Sequence, residues 1–360
     1  MKIALDATYS LGPSLSGVGV YCTRLIESLA PAAPDLRFVL CYRANRFFRA
    51  MLSPLPANTE RRLFEERLSP RWTGGVALFH GLNQRLPRSR FPRMVATFHD
   101  LFALSGEYST PDFRWRFTAL AKDAAARADH IIAVSHYTAF QVEQLLGVDP
   151  SRITVIHHGV DPVPEFTIEE LATCLRRYRL RRPFLLHVGA IQARKNISRL
   201  VEAFESLSPE YQLALGGSDG HGAAEIHARI VASPAQERIR VLGYVPRPDI
   251  ERLYRLASAL AFPSLDEGFG LPVLEAMSAG LPVVTSNRSA TAEVAGEAAL
   301  LVDPTDTAQI VEGLRRVLGD EILRSELVRK GLERAAQFSW TRAAAETLAV
   351  YRRLLKTDES

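Results

Sequence analysis

Cysteine is scarce. The 360-residue chain has three, Cys22, Cys41 and Cys174, far apart. No pair has zinc-site spacing, and an odd count makes a poor disulfide framework. The expectation is small buried or partly buried thiols in a reducing compartment. No run of 18 apolar residues occurs, so nothing reads as a membrane span. Asp6 interrupts the apolar start MKIALD at once, which argues against a secretory signal. Neither charge sign dominates: 44 basic and 40 acidic residues give +4, too mild to indicate a nucleic-acid binder. An Asp-x-Asp pair of the kind that holds Mg²⁺ or Mn²⁺ is missing, as is any His/Cys cluster with metal-ligand spacing. What remains is 47% hydrophobic and 23% charged, a globular composition that excludes a disordered or fibrous chain.

Short aliphatic runs alternate with longer amphipathic stretches from end to end. Strands are expected at 2–5, 37–41, 77–80, 94–98, 130–134 and 154–157. A second set is expected at 184–188, 212–216, 240–242, 259–262, 282–285 and 299–302. Helical periodicity fills 112–128, 198–207, 307–319 and 341–355. Nearly all-apolar strands separated by helices mean parallel sheets covered on both faces. Pro162, Pro164 and Pro183 bracket a basic stretch, LATCLRRYRLRRP. Proline beside charge suits a connector, so the expected division is 1–164, a linker at 165–182 and 183–338. The expected fold class is α/β: two Rossmann-like, doubly wound domains facing a central cleft. Chemistry is then sought in loops beyond the carboxyl ends of strands.

The segment PSLDEGFGLPVLEAMSAGLPVVT, from Pro263 to Thr285, is the most informative. A strand ends in a loop holding Gly268, Phe269, Gly270 and Leu271. Pro272 follows, where a first-turn proline is tolerated. Gly280 closes the short helix. A glycine-bearing loop feeding a helix N-terminus is a ready anion site. Glu267 lies in the loop and Glu275 in the first helical turn, with seven residues between. Glu275 reads either as a helix cap or as a ligand group. Glu267, beside two glycines that allow close backbone approach, reads as a ligand group. Phosphate affinity beside acceptor carboxylates suits a sugar nucleotide.

With GFGLP between them, Glu267 and Glu275 resemble the E-x7-E signature of retaining glycosyltransferases of family 4 (the group 1 glycosyltransferases, GT-B fold). The likeness continues through LPVVTSN, Glu293 and LVDP. HVGAIQARKNISRLVEAF (187–204) is similar to the family's first donor-domain strand and basic loop. Ala190 stands where many members have arginine, which leaves Arg194 and Lys195 as the cations. Two cations before a helix conflict with its dipole, and a bound diphosphate would resolve this; two solvated surface cations are the plain alternative. ATFHDL resembles the family's N-terminal histidine motif, and there His99 would orient a sugar hydroxyl or protonate weakly near neutral pH; a satisfied structural histidine is the plain alternative. SLSGVGVYCTRL (14–25) is similar to the family's first glycine loop, where Gly17 and Gly19 would let a phosphate or acceptor approach. FHGLNQRLP (79–87) would place His80 and Asn83 toward the cleft. Ser135, in AVSHYT, reads equally as a helix N-cap. Gly216, Gly217 and Tyr244 match loops flanking the base, and 339–360 is similar to a last helix returning to the N-terminal domain.

The resemblance implies transfer of a mannose- or rhamnose-like hexose from a nucleoside diphosphate sugar, such as GDP-mannose, to a hydroxyl. It implies no cofactor and no metal. Glu267 would contact the sugar, Glu275 the ribose, and Arg194, Lys195 and the helix dipole the diphosphate. The acceptor would be a glycan or lipid-linked glycan, as in O-antigen or exopolysaccharide assembly. Residues 1–164 carry 19 basic and 14 acidic side chains, net +5. CYRANRFFRAM (41–51) and RLPRSRFPR (85–93) suit either a solvated arginine-rich face or contact with an anionic membrane. The expected location is cytoplasmic, at the inner membrane face, with no nucleic-acid partner. A non-catalytic sugar-nucleotide binder or an epimerase of the same fold is the alternative.

Overall fold

The computed structural model describes residues 1–12, 15–64 and 74–356. Ser14 of the first glycine loop and positions 357–360 of the final segment lie outside the described residues. The chain forms two compact units.

The first unit spans Met1–Glu107, Pro111–Gly159 and the segment from Phe338 onward. Its elements run β1 (Lys2–Asp6), α1 (Gly17–Ala32), β2 (Arg37–Tyr42), α2 (Ala44–Met51), β3 (Thr59–Leu63), β4 (Val76–Gly81) and β5 (Arg93–Phe98). Then come α3 (Phe102–Ser105), α4 (Pro111–Arg127), β6 (His130–Ala133), α5 (His136–Leu146) and β7 (Ile153–Val155). The second unit holds α6 (Ile168–Tyr178), β8 (Phe184–Val188), α7 (Ile197–Glu205), β9 (Gln212–Gly216), α8 (Ala223–Val231), β10 (Ile239–Gly243) and α9 (Arg247–Leu256). It continues with β11 (Ala259–Phe262), α10 (Leu271–Ser278), β12 (Val283–Ser286), α11 (Ser289–Ala295), β13 (Leu300–Val302), α12 (Thr307–Gly319) and α13 (Glu321–Ala335). The chain then returns to the first unit in α14 (Trp340–Lys356).

Strands of the first unit order β3-β2-β1-β4-β5-β6-β7, all parallel. Residues alternate between faces with period two. Ile3, Leu5, Leu78 and Val95 pack with Leu25, Leu29, Trp340 and Tyr351 of α1 and α14. Ala4, Phe79, Met94, Phe98 and Ile131 face Ala121, Ala124 and Val142 of α4 and α5. The second sheet orders β10-β9-β8-β11-β12-β13, also parallel. One of its faces packs Leu185, Leu213, Leu215 and Val284 on Leu200, Phe204, Ile226 and Leu314. In each sheet the strand order reverses direction once: at β1/β4 and at β8/β11. Loops after those strands diverge and leave room beyond their carboxyl ends.

The structure alters several expectations. The strand β3, TERRL, is absent from the sequence reading; it pairs only with β2 at the sheet edge, where charged side chains block further pairing. Residues 165–182, read as a linker, hold α6 within the second unit. Thr167 and Glu170 cap it reciprocally. Arg177 and Tyr178 both donate to Asp249 Oδ2, at 2.7 and 2.8 Å. All three cysteines are buried, and burial pushes the Cys22 and Cys41 thiols well up. No helix among the described residues is long and apolar enough to cross a membrane.

Candidate functional site

The loop after β8 is stitched to the loops after β9 and β11 by backbone and by one side chain. Gly189, Ile191 and Ala193 donate their N–H groups to Gly216, Ser218 and His221 carbonyls, each at 2.9 Å. Asn196 sits at φ +59° between a 3₁₀ turn (Ala193–Lys195) and α7. Asparagine tolerates that left-handed conformation better than most residues. Its Nδ2 donates to the Pro263 and Pro304 carbonyls at 3.0 and 2.6 Å, tying three strand ends together. Leu265 N–H donates to the Arg194 carbonyl at 2.9 Å.

This scaffold brings Arg194, Lys195 and Glu267 into one buried group. Lys195 Nζ donates to Glu267 Oε1 at 2.5 Å. Arg194 Nη1 donates to Glu267 Oε2 at 3.2 Å and to the Asp266 carbonyl at 2.5 Å. Each of the three residues is under a tenth exposed. Burial alone would raise the Glu267 carboxyl; Lys195 and then Arg194 override it and hold the group down at about 2. Lys195 Nζ also lies 4.9 Å over the Phe262 ring. Two cations before a helix were expected to need an outside anion; Glu267 supplies a carboxylate within the chain.

Gly270 is the left-handed N-cap of α10, at φ +94°, and a Cβ there would sit 3.0 Å from Thr291 Cγ2. Phe269 is buried beside it and Leu271 opens the helix. Glu267 N–H donates to Ser289 Oγ at 3.2 Å, and Ala290 N–H to the Glu267 carbonyl, so α11 fixes the Gly268-bearing loop from behind. Glu275 is the fifth residue of α10, not in its first turn, and it does not cap the helix. Its buried carboxylate accepts from Tyr254 Oη at 2.9 Å and from Arg247 Nη1. Neither partner figured in the sequence reading. Gly217 N–H donates to the Gly243 carbonyl at 2.8 Å, which places Gly216 and the exposed Tyr244 on adjoining loops.

The first unit holds the remaining candidates. His99 follows β5 and is buried; its Nε2–H donates to the Leu82 carbonyl at 2.9 Å, leaving Nδ1 without a hydrogen-bond partner. Burial pushes it down to about 4, so His99 is neutral near pH 7 rather than titrating there. It packs edge-on to Tyr21, ring centroids 4.7 Å apart. Gly17 and Gly19 lie inside the first turn of α1 rather than before it, with Ser16 accepting from Gly19 N–H. A Cβ on Gly19 would meet the Tyr9 carbonyl at 2.9 Å, so this glycine serves a local backbone contact. His80 does not face outward: it is fully buried, hydrogen-bonded to Tyr351 Oη at 2.5 Å and Thr97 Oγ1 at 2.8 Å. Ser135 caps α5, accepting from Thr138 N–H at 3.0 Å.

Two doubly wound parallel-sheet units, with charged loops where the strand order reverses, define a GT-B-type α/β protein. Residues 177–334 match the family described as glycosyl transferases group 1, and residues 15–163 match glycosyltransferase family 4. O-antigen chain mannosyltransferase B of Escherichia coli is 34% identical over 285 residues, covering 77% of this chain and 74% of that protein. Serotype-specific mannosyltransferase WbdA of Escherichia coli is 30% identical over 288 residues, which are 76% of this chain and 35% of WbdA. Anabaena Alr3699/HepE, solved with UDP and glucose, superposes with a TM-score of 0.75 at 19% identity, covering 97% of this chain and 99% of HepE. The chain belongs to the group 1, family 4 glycosyltransferases.

Proposed function

We propose that the protein transfers a mannose-like hexose, with retention, from a nucleoside diphosphate sugar to a hydroxyl of a growing lipid-linked glycan. The observation that carries this reading is the pair Arg194 and Lys195, ordered against Glu267 beyond β8 and β11 and three residues before the N-cap of α10. Breaking the anomeric C–O bond leaves positive charge on the sugar and negative charge on the departing diphosphate. Cations and a helix N-terminus already in place stabilise that leaving group without reorganising. The acceptor oxygen forms its bond on the face the diphosphate leaves, and the departing phosphate oxygen takes the acceptor proton. In this reading no divalent metal takes part.

Glu267 contacts the sugar and Glu275 the ribose. In the first unit, taken by itself, neutral His99 offers Nδ1 to a hydroxyl. Gly216 and Tyr244 flank the base. Mannose and an O-antigen-type acceptor are supported by the names of the curated relatives. Contact with an anionic membrane is supported by α2. Phe48 and Met51 of α2 and its C-cap Leu52 are 84%, 56% and 88% exposed, three and four residues apart, with Arg46 and Arg49 in the helix.

The test is product formation from GDP-mannose and UDP-glucose, with and without EDTA, by the wild type and by Lys195→Ala, Glu267→Ala and Glu275→Ala. Expected is EDTA-insensitive turnover of one donor and its loss in each variant. Near wild-type rates in all three variants would overturn the assignment.

A further inference from the structure

Two residues of α9 close on Glu275 from opposite ends of its carboxylate. Arg247 opens the helix, and Tyr254 lies seven residues on, two turns along the same face. Tyr254 Oη donates to Oε2 at 2.9 Å and Arg247 Nη1 donates to Oε1, so each carboxylate oxygen holds one protein donor. The plane of Glu275 cannot turn without losing one of them. Arg247 is itself braced, because its Nε donates to Glu251 Oε1 at 2.7 Å, one turn along α9. Tyr254 is fully buried, and burial together with the Glu275 charge pushes its phenol well up, so it stays a donor. Each oxygen of a carboxylate keeps a second acceptor direction after one bond is made. Two such directions on one fixed plane match a vicinal diol.

We propose that Arg247 and Tyr254 are positioning residues that fix Glu275 so that its remaining lone pairs receive the 2′- and 3′-hydroxyls of the donor's ribose. This rests on the reading of Glu275 as the ribose acceptor. Arg247 and Tyr254 act through Glu275 and touch neither the sugar nor the diphosphate. The Glu251 brace makes Arg247 a strut between α9 and α10 rather than a mobile surface cation.

The experiment is isothermal titration of GDP, UDP and their 2′,3′-dideoxy counterparts. The proteins are the wild type, Arg247→Ala, Arg247→Lys, Tyr254→Phe and Glu275→Gln, with urea midpoints recorded alongside. Arg247→Ala and Tyr254→Phe should each weaken the tighter ribonucleotide by about tenfold, the size expected for one hydrogen bond to a charged group. The dideoxy nucleotide should bind them as it binds the wild type, and Arg247→Lys should recover part of the loss. Equal losses for ribo- and dideoxynucleotide would reduce the pair to general scaffolding and overturn the proposal. So would unchanged ribonucleotide affinity in Arg247→Ala and Tyr254→Phe when Glu275→Gln has lost its preference for ribose. If Glu275→Gln still prefers ribose as the wild type does, the reading of Glu275 fails first and takes the proposal with it.

Discussion

Lys195 Nζ stands 2.5 Å from Glu267 Oε1 while Arg194 reaches the other carboxylate oxygen, so one buried anion orders both cations. Their side chains come from the loop after β8 and Glu267 from the loop after β11, the two strands between which the sheet order turns back. The carboxylate therefore sets where the positive charge sits before any ligand arrives.

Replacing Lys195 by Ala should cost on the order of 10²–10³ in transfer rate, the scale for losing one preorganised electrostatic donor. Steady-state kinetics with the preferred donor would check this. A loss confined to KM would mean that Lys195 binds ground state and transition state alike.

Burial keeps His99 and His187 neutral down to about pH 4, and His80 down to about pH 3, against an ordinary 6.5. The unfolded chain therefore binds more protons than the folded one between 6.5 and about 4. Stability contributed by these neutral rings is complete above 6.5 and falls as pH drops through that window. Each histidine should steepen the decline by up to about 1.4 kcal/mol per pH unit. Urea midpoints at pH 7.0, 5.5 and 4.5 should fall, and His187→Gln should flatten the slope. A pH-independent midpoint would contradict this. Glu267 acts at lower pH: held down at about 2, it contributes stability above 4.5 that is lost as pH falls toward 2.

A Cβ on Gly217 would lie 1.9 Å from the Gly189 carbonyl oxygen, a backbone atom that cannot step aside. Gly217→Ala should therefore separate the loops after β8 and β9, with a loss of about 1–3 kcal/mol in stability and a weaker nucleoside diphosphate complex. Thermal melts and titration on the same sample would check both.

The return helix α14 gives a paired comparison. A Cβ on Gly159 would fall 2.1 Å from Trp340 N, whereas Gly147, at φ +65°, has open space around it. Gly147→Ala should cost about 1 kcal/mol for the left-handed backbone alone. Gly159→Ala should cost clearly more, because α14 must shift. Equal urea midpoints for the two variants would contradict the packing described.

Apolar strands and amphipathic helices were legible because their burial leaves a period in the sequence. β3 was not, since a charged edge strand, TERRL, carries no apolar signal. Helix α6 hides in the sequence although Thr167 and Glu170 spell a capping box, because prolines on both sides and a run of arginines from its last turn onward give the pattern of a connector. Glu267 stood out from its glycine loop, and Lys195 and Arg194 from the likeness of their segment to the family's basic loop and from cations preceding a helix; the fold brings the three together. Arg247 and Tyr254 were not, because their link to Glu275 spans 28 and 21 residues and only folding brings them together. His80 lies in a motif-like loop, yet its burial with Tyr351 depends on a helix 271 residues away.

The central claim is that the donor's diphosphate docks on Lys195 and Arg194. The most direct measurement compares the affinity of GDP and UDP with that of guanosine and uridine for the wild type and for Lys195→Ala, in EDTA. The account predicts that the variant loses about tenfold or more for the preferred diphosphate and nothing for the bare nucleoside. Equal diphosphate affinity in the two proteins would contradict it.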